Sequence, residues 1–211
     1  MLRVAVRLPP ATGRIGDYLA DVIALETAGA DSVWLDATAA ASTEPWILMG
    51  AVAAVTHRIR LGVTVGETAD WRPVVDTLGR LSSGRVVVGM PAQREAKKLV
   101  EAMKSSTEIL PSILLTCTTQ AEAERAAHLA NGVILRAGEG EVRALRSKQG
   151  DFELWVDVSV PADKAGWVRM VRAMEAADAT GIIASWDPRL IDLLRSAGEP
   201  DDRTDLLIAT G

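Results

Sequence analysis

Residues suited to chemistry fall where the short apolar runs of this chain end. Asp36, Ala37 and Thr38 follow one such run, and Gly66, Glu67, Asp70, Trp71 and Arg72 follow the next. Pro91, Gln93 and Arg94 come after a third, and Cys117, Thr118, Thr119 and Gln120 after a fourth. Ala137-Gly138-Glu139-Gly140 follows a fifth, Asp157 and Ser159 lie within a sixth, and Trp186 and Asp187 close the last. Asp36 and Asp157 have the chemistry of a general acid or base. Thr116-Cys117-Thr118-Thr119-Gln120 leads from a strand-like run into a helix start, where free N–H groups and hydroxyls suit a phosphate. An ordinary helix cap is the other reading of those residues. The paired glycines at Gly138 and Gly140 permit close backbone approach to a ligand, or simply make a tight turn. Arg72 and Arg94 could supply counter-charge, or pair with Glu67, Asp70 or Glu95. The flat rings of Trp71 and Trp186 could wall a pocket for a planar ligand or plug a core. Cys117 reads as an inert small hydrophobe. His57 and His128 fall in or at the ends of helices, and no Ser-His-Asp set or metal constellation can be assembled from them.

Eight elements of each kind must position these groups. The strand candidates are Arg3–Leu8, Ser32–Asp36, Ile59–Val65, Arg85–Met90, Ile113–Cys117, Gly132–Arg136, Leu154–Val160 and Gly181–Ser185. Their centres are apolar without strict alternation, as in parallel strands covered on both faces. Between them the pattern predicts helices over Ile15–Ala28, Pro45–Thr56, Pro73–Leu81, Gln93–Ser105, Ala121–Ala130, Glu141–Lys148, Lys164–Ala177 and Pro188–Ala197. Start signals support several of them: Ser42-Thr43-Glu44-Pro45 and Asp187-Pro188 place cap residues before a first-turn proline. Gly29 marks the end of the first helix. Eight strand–helix units of about 25 residues predict a (β/α)8 TIM barrel. A doubly wound open sheet is the alternative, but no Gly-rich nucleotide turn follows the first strand. In such a barrel the chemistry belongs at the C-terminal ends of the strands.

The 211 residues carry no linker or low-complexity stretch, so residues 1–211 are expected to form a single domain. A net charge of −5 offers no footprint for nucleic acid or an anionic membrane surface. The single Cys cannot form an internal disulfide, which fits a reducing, cytoplasmic setting. No signal peptide or membrane-spanning run is recognised. Trp46, Met49 and Val52 suggest an exposed apolar face and hence a homodimer.

Three segments resemble a known family. Ala28-Gly29-Ala30-Asp31-Ser32-Val33-Trp34 is similar to the AGFDSVW segment of bacterial-luciferase-like monooxygenases. Ala54-Val55-Thr56-His57-Arg58-Ile59-Arg60-Leu61-Gly62-Val63 resembles their A-x-T-x-R-I-x-LG segment. Pro73 followed by Leu78-Gly79-Arg80-Leu81-Ser82-Ser83-Gly84-Arg85-Val86-Val87-Val88-Gly89 resembles their P…L-x-x-LS-x-GR segment, and 124–135 matches a later segment more weakly. The resemblance implies a (β/α)8 barrel. It also implies flavin mononucleotide (FMN) or the deazaflavin coenzyme F420 across the barrel mouth, with hydride transfer on a small organic substrate. It implies a non-prolyl cis peptide around Val63–Gly66, with Thr64, Gly66 and Trp71 lining the ring pocket. The coenzyme phosphate maps to Thr116, Thr118 and Thr119, with Gly138 as a further contact. Asp36 and Thr38 stand where many relatives carry an acid and a His, and they become the candidate catalytic pair. Pro91 replaces a glycine turn, and the chain lacks the insertions usual in the family. These departures keep a degenerate, non-catalytic member open as the alternative, with coenzyme binding lost. A different barrel enzyme, a lyase or isomerase using Asp157 or Asp36 as base, is the third reading.

Overall fold

A computed structural model of the chain describes residues 1–38, 44–66, 71–93, 96–106, 110–148 and 152–197. Its elements alternate without exception: β1 (Arg3–Arg7), α1 (Ile15–Thr27), β2 (Ser32–Ala37), α2 (Glu44–Val55), β3 (Arg60–Val65), α3 (Arg72–Leu81), β4 (Val86–Pro91), α4 (Ala96–Ser106), β5 (Ser112–Cys117), α5 (Gln120–Ala126), β6 (Gly132–Leu135), α6 (Glu139–Lys148), β7 (Glu153–Val158), α7 (Lys164–Ala176), β8 (Gly181–Ser185) and α8 (Leu190–Ala197). All eight strands run parallel, each pairs with the next, and β8 closes on β1. The chain is a (β/α)8 barrel.

Strand alternation divides the apolar residues into two populations. Val4, Val33, Leu61, Val88, Leu115, Val156 and Ile182 face outward into the layer shared with the helices. Ala5, Trp34, Val87, Leu114, Ile134, Trp155 and Ile183 face inward and form a separate cluster on the barrel axis. Both populations are apolar, so the strands read as continuous hydrophobic runs. Two indoles dominate the interior. Trp34 lies where a side chain on Gly62 or Gly89 would go, and Trp155 lies where one on Gly181 would go. The barrel is therefore a packed core and not a pore.

The turns from helix to strand hold the opposite, N-terminal end. Gly29 takes φ 92°, a conformation that glycine adopts without steric cost, and Ala30 N–H then reaches back to the Leu25 carbonyl at 3.0 Å. Several expected helix starts shift, α8 among them. Asp187 caps by accepting from Arg189 N–H at 2.9 Å, so α8 begins at Leu190, two residues beyond the expected proline. Ser42 and Thr43, read as caps of α2, lie outside the described residues. α5 stops at Ala126 and β7 at Val158, both shorter than their apolar runs suggest. In each case residues beyond the element still pack on the core, Leu129 after α5 and Val160 after β7, so hydrophobicity outlasts the regular backbone.

Candidate active site at the mouth of the barrel

The residues two positions beyond the inward apolar layer share its face and emerge at the C-terminal end. From β1 comes Arg7, two beyond Ala5. From β2 comes Asp36, two beyond Trp34, and from β3 comes Thr64, two beyond Gly62. β5 supplies Thr116, β7 Asp157 and β8 Ser185 by the same count. Arg136 stands one residue past β6 and two beyond the inward Ile134, while its neighbour Ala137 packs outward on the helix-side core. The mouth is thus a polar ring above an apolar floor made by Trp34 and Trp155.

One ion pair crosses this ring. Arg7 Nη1 donates to both carboxylate oxygens of Asp157 at 3.3 Å, spanning β8. That contact commits Asp157 to a positioning role and weakens its reading as a free base. Asp36 is exposed and its Oδ1 accepts from the Thr38 N–H at 2.9 Å, which closes a small turn. Asp36 and Thr64 are register partners on adjacent strands. Thr64 Oγ1 lies 3.6 Å from where a Gly89 Cβ would sit, a point that the edge of the Trp34 indole also borders.

Other expected site residues are engaged differently. Trp71 is buried, and its Nε1 donates to the Gly66 carbonyl at 3.2 Å. Of its two readings, the core plug is the one found, and the indole pins the turn after β3. Trp186 is half-buried against the same helix-side core. Thr119 caps α5 by accepting from Glu122 N–H at 3.2 Å, and Glu122 Oε2 accepts from the N–H and hydroxyl of Thr118 at 2.8 Å each. These bonds from Thr118 hold the Glu122 carboxyl below the usual glutamate range. The turn expected to cradle a phosphate thus carries an anion of its own, in a reciprocal cap. Gly138 repeats the arrangement, its N–H donating to Glu141 Oε2 at 2.9 Å. The backbone donors at Thr118 and Gly138 are therefore already satisfied by the chain's own carboxylates, whereas Arg136 carries no such partner among the described residues. The peptide bonds of the described residues are all trans, including those joining Val63 to Gly66, where a cis bond was expected. Glu67, Asp70, Arg94 and Glu95 lie outside the described residues.

Sequence reading passed over Arg7 and Arg136. The available signal was parity: in Arg3-Val4-Ala5-Val6-Arg7 the charged residues alternate with outward valines, so they must share the barrel side. Two cavities lie away from the mouth. One of about 430 Å³ opens at the N-terminal end beside Arg60, Ser112, Asn131 and Glu153. One of about 530 Å³ runs along α5, lined by Ala92, Ala96, Leu115 and Leu129.

Fold and ring together define a (β/α)8 barrel with a polar C-terminal mouth over a closed floor. Residues 3–99 match the family of luciferase-like monooxygenases, which establishes the resemblance over the first four strands and their connections. No curated protein matches the chain. Among solved structures, an F420-dependent secondary alcohol dehydrogenase in complex with an F420-acetone adduct superposes with TM-score 0.69 at 13% identity, over 92% of this chain and 97% of that one. Apo-MsnO8 gives 0.64 at 14%, over 93% and 96%. Tryptophan synthase from M. tuberculosis in an aminoacrylate-bound form gives 0.63 at 15%, over 92% and 91%. At these identities the likeness concerns the fold.

The matching segments have a physical location. Asp31 accepts from Arg60 Nη2 at 2.6 Å, Ser32 Oγ accepts from Trp34 Nε1 at 3.1 Å, and Arg85 Nη1 donates to Thr56 Oγ1 at 3.0 Å. All belong to the barrel floor or the N-terminal end, which governs stability in this fold. The residues that carry the resemblance build the frame, and the mouth residues are a separate matter.

Proposed function

We propose that this chain is a luciferase-like oxidoreductase that takes FMN or coenzyme F420 at the mouth and acts on a small organic substrate. The observation that carries this reading is the inward polar ring of Arg7, Asp36, Thr64, Thr116, Arg136, Asp157 and Ser185 above the Trp34 floor. When bound, such a coenzyme supplies the hydride-transfer chemistry. The chain's own part is binding and orientation. Arg136 holds an anionic group, Arg7 and Asp157 fix one wall, and Trp34 closes the floor against water. Asp36, with its second carboxylate oxygen clear of the Thr38 turn, accepts or holds a proton at the mouth. The likeness to the F420-dependent dehydrogenase supports a coenzyme of this class.

Glu122 and Glu141 favour a second reading. Their carboxylates fill the turns where a phosphate was expected, as in a barrel that has kept its frame and given up the coenzyme to serve as a binding or partner subunit. Titration of tryptophan fluorescence with FMN, and separately with F420, decides between them. Saturable quenching by either at micromolar concentration supports the oxidoreductase. A flat response to both overturns it.

A cytoplasmic homodimer completes the proposal. Met49 and Val52 are fully buried, so they do not form the expected contact face. Ile47 on α2 and Val74 and Leu81 on the adjacent α3 are exposed instead, at 71%, 39% and 65%. α2 carries no charge after Glu44, and a helix apolar all round belongs in an interface. Ile47→Glu with Leu81→Glu should convert a dimer to a monomer by light scattering; a wild-type monomer would remove the idea. No helix among the described residues is long and apolar enough to cross a membrane.

A further inference from the structure

Arg136 stands out from every other charge near it. Its register neighbour across the barrel lining is Asp157, since Leu135 pairs with Val156 and the next step aligns Arg136 with Asp157. That carboxylate is taken by Arg7 at 3.3 Å. The acids that follow Arg136 in sequence are also taken: Glu139 Oε1 accepts from Arg143 at 2.6 Å, and Glu141 from the Gly138 N–H at 2.9 Å. Asp36 projects from β2, four strands away in an eight-stranded ring and so on the far side of the mouth. Arg136 itself is exposed and makes no hydrogen bond or ion pair among the described residues. An exposed guanidinium one residue past the C-terminal end of β6, whose described acidic neighbours are committed elsewhere, is an unfilled fork of donors with the geometry for carboxylate or phosphate.

We propose that Arg136 is the anion-reading residue of the mouth, binding a phosphate or carboxylate group of the molecule taken there in place of the β5–α5 turn. The proposal rests on the mouth being the binding site. The turn is closed because its donors already hold Glu122, and a second anion there would meet like charge. Arg136 meets no such competitor among the described residues. The ligand's anionic end therefore points to β6, and its other end toward Asp36 on β2, where a hydrogen-bond donor is favoured.

The test compares wild type, Arg136→Gln and Glu122→Gln. Inorganic phosphate and acetate are titrated by calorimetry, and FMN and riboflavin by tryptophan fluorescence. Because Arg136 is exposed and makes no hydrogen bond or ion pair among the described residues, Arg136→Gln should melt with the wild type, so lost binding cannot be lost fold. Losing one charge-assisted contact should weaken phosphate or acetate binding about tenfold in Arg136→Gln, with Glu122→Gln close to wild type. If FMN outbinds riboflavin in wild type and Arg136→Gln removes that margin, the anion is the coenzyme's phosphate. If FMN and riboflavin behave alike while acetate binding depends on Arg136, it is a substrate carboxylate. Equal binding by wild type and Arg136→Gln overturns the proposal. So does tighter phosphate binding by Glu122→Gln alone, which would return the site to the turn. So does a wild type that binds neither phosphate nor acetate. Failure of FMN and F420 with phosphate binding intact would sink the coenzyme and leave Arg136 standing.

Discussion

The indole of Trp34 fills the space that any side chain on Gly62 would need, and its Cζ3 lies 2.9 Å from where a Gly89 Cβ would be. Trp34 belongs to β2, Gly62 to β3 and Gly89 to β4, so one ring spans three strands and seals the floor beneath Thr64. Gly62→Ala should destabilise by about 3 kcal/mol, because a rigid buried ring cannot yield to the added methyl. Trp34→Leu relieves the clash while leaving a void, so the double variant should be more stable than the sum of the two losses. Urea unfolding of the four proteins checks this. A Gly62→Ala midpoint equal to wild type would mean that the ring does not lie there.

Arg85 ties three elements together at the N-terminal end. Its guanidinium donates to the carbonyls of Ala53 at 3.1 Å, Thr56 at 3.0 Å, Ile59 at 2.8 Å and Ser82 at 2.9 Å, and to the Thr56 hydroxyl. These include the carbonyls left open at the end of α2. Arg85→Met should cost roughly 3 kcal/mol by stranding them. Arg85→Lys should recover little, since an ammonium cannot reach the same fork of acceptors. Denaturant unfolding with full recovery in Arg85→Lys would contradict the geometry.

Glu26 staples α1 to the turn before β3. Its Oε1 accepts from the backbone N–H groups of His57, Arg58 and Ile59 at 2.9, 2.6 and 2.9 Å. Burial pushes this carboxyl up, but the three N–H bonds and the Arg58 charge together outweigh it, and the net shift is below the ordinary 4.5. A depressed folded pKa stabilises fully above the unfolded value and loses that contribution as pH falls through the folded one. Glu26→Gln should therefore cost about 1 kcal/mol at pH 7, a figure moderated by solvent screening. The gap to wild type should close as pH falls below the ordinary glutamate range and through the depressed folded value. A gap independent of pH would rule out the carboxylate as its source.

Cys117 ends β5 and is buried, with its Sγ donating to the Leu115 carbonyl at 3.5 Å. Burial pushes the thiol up to about 12, helped by the Glu122 carboxylate nearby. At pH 8 it holds almost no thiolate, so a chromogenic disulfide reagent should react with it only on unfolding. Prompt stoichiometric reaction of the native protein would show that the thiol is open and ionisable.

Some of this was written locally. The strand–helix rhythm was legible because apolar runs bounded by glycine and proline encode their own length and burial, and eight of them in a row leave few architectures. The left-handed end of α1 was legible in Gly29. The cap at Thr118-Thr119-x-x-Glu122 was equally present in the residues, since the Thr119 hydroxyl accepts from the Glu122 N–H while the Glu122 carboxylate takes the Thr118 donors. Of the two readings of that turn, the helix cap is the one whose bonds the structure shows. The mouth was settled by closure of the sheet. Arg7 and Asp157 are 150 positions apart, and nothing in either neighbourhood announces the other. They meet because β8 brings β7 beside β1. The isolation of Arg136 has the same origin: a charge is unpaired only with respect to everything folded around it. Sequence alone therefore determined the barrel and its frame, whose contacts are mostly between consecutive units. Tertiary structure decided which side chains face one another across the mouth, because that depends on the register and curvature of all eight strands at once.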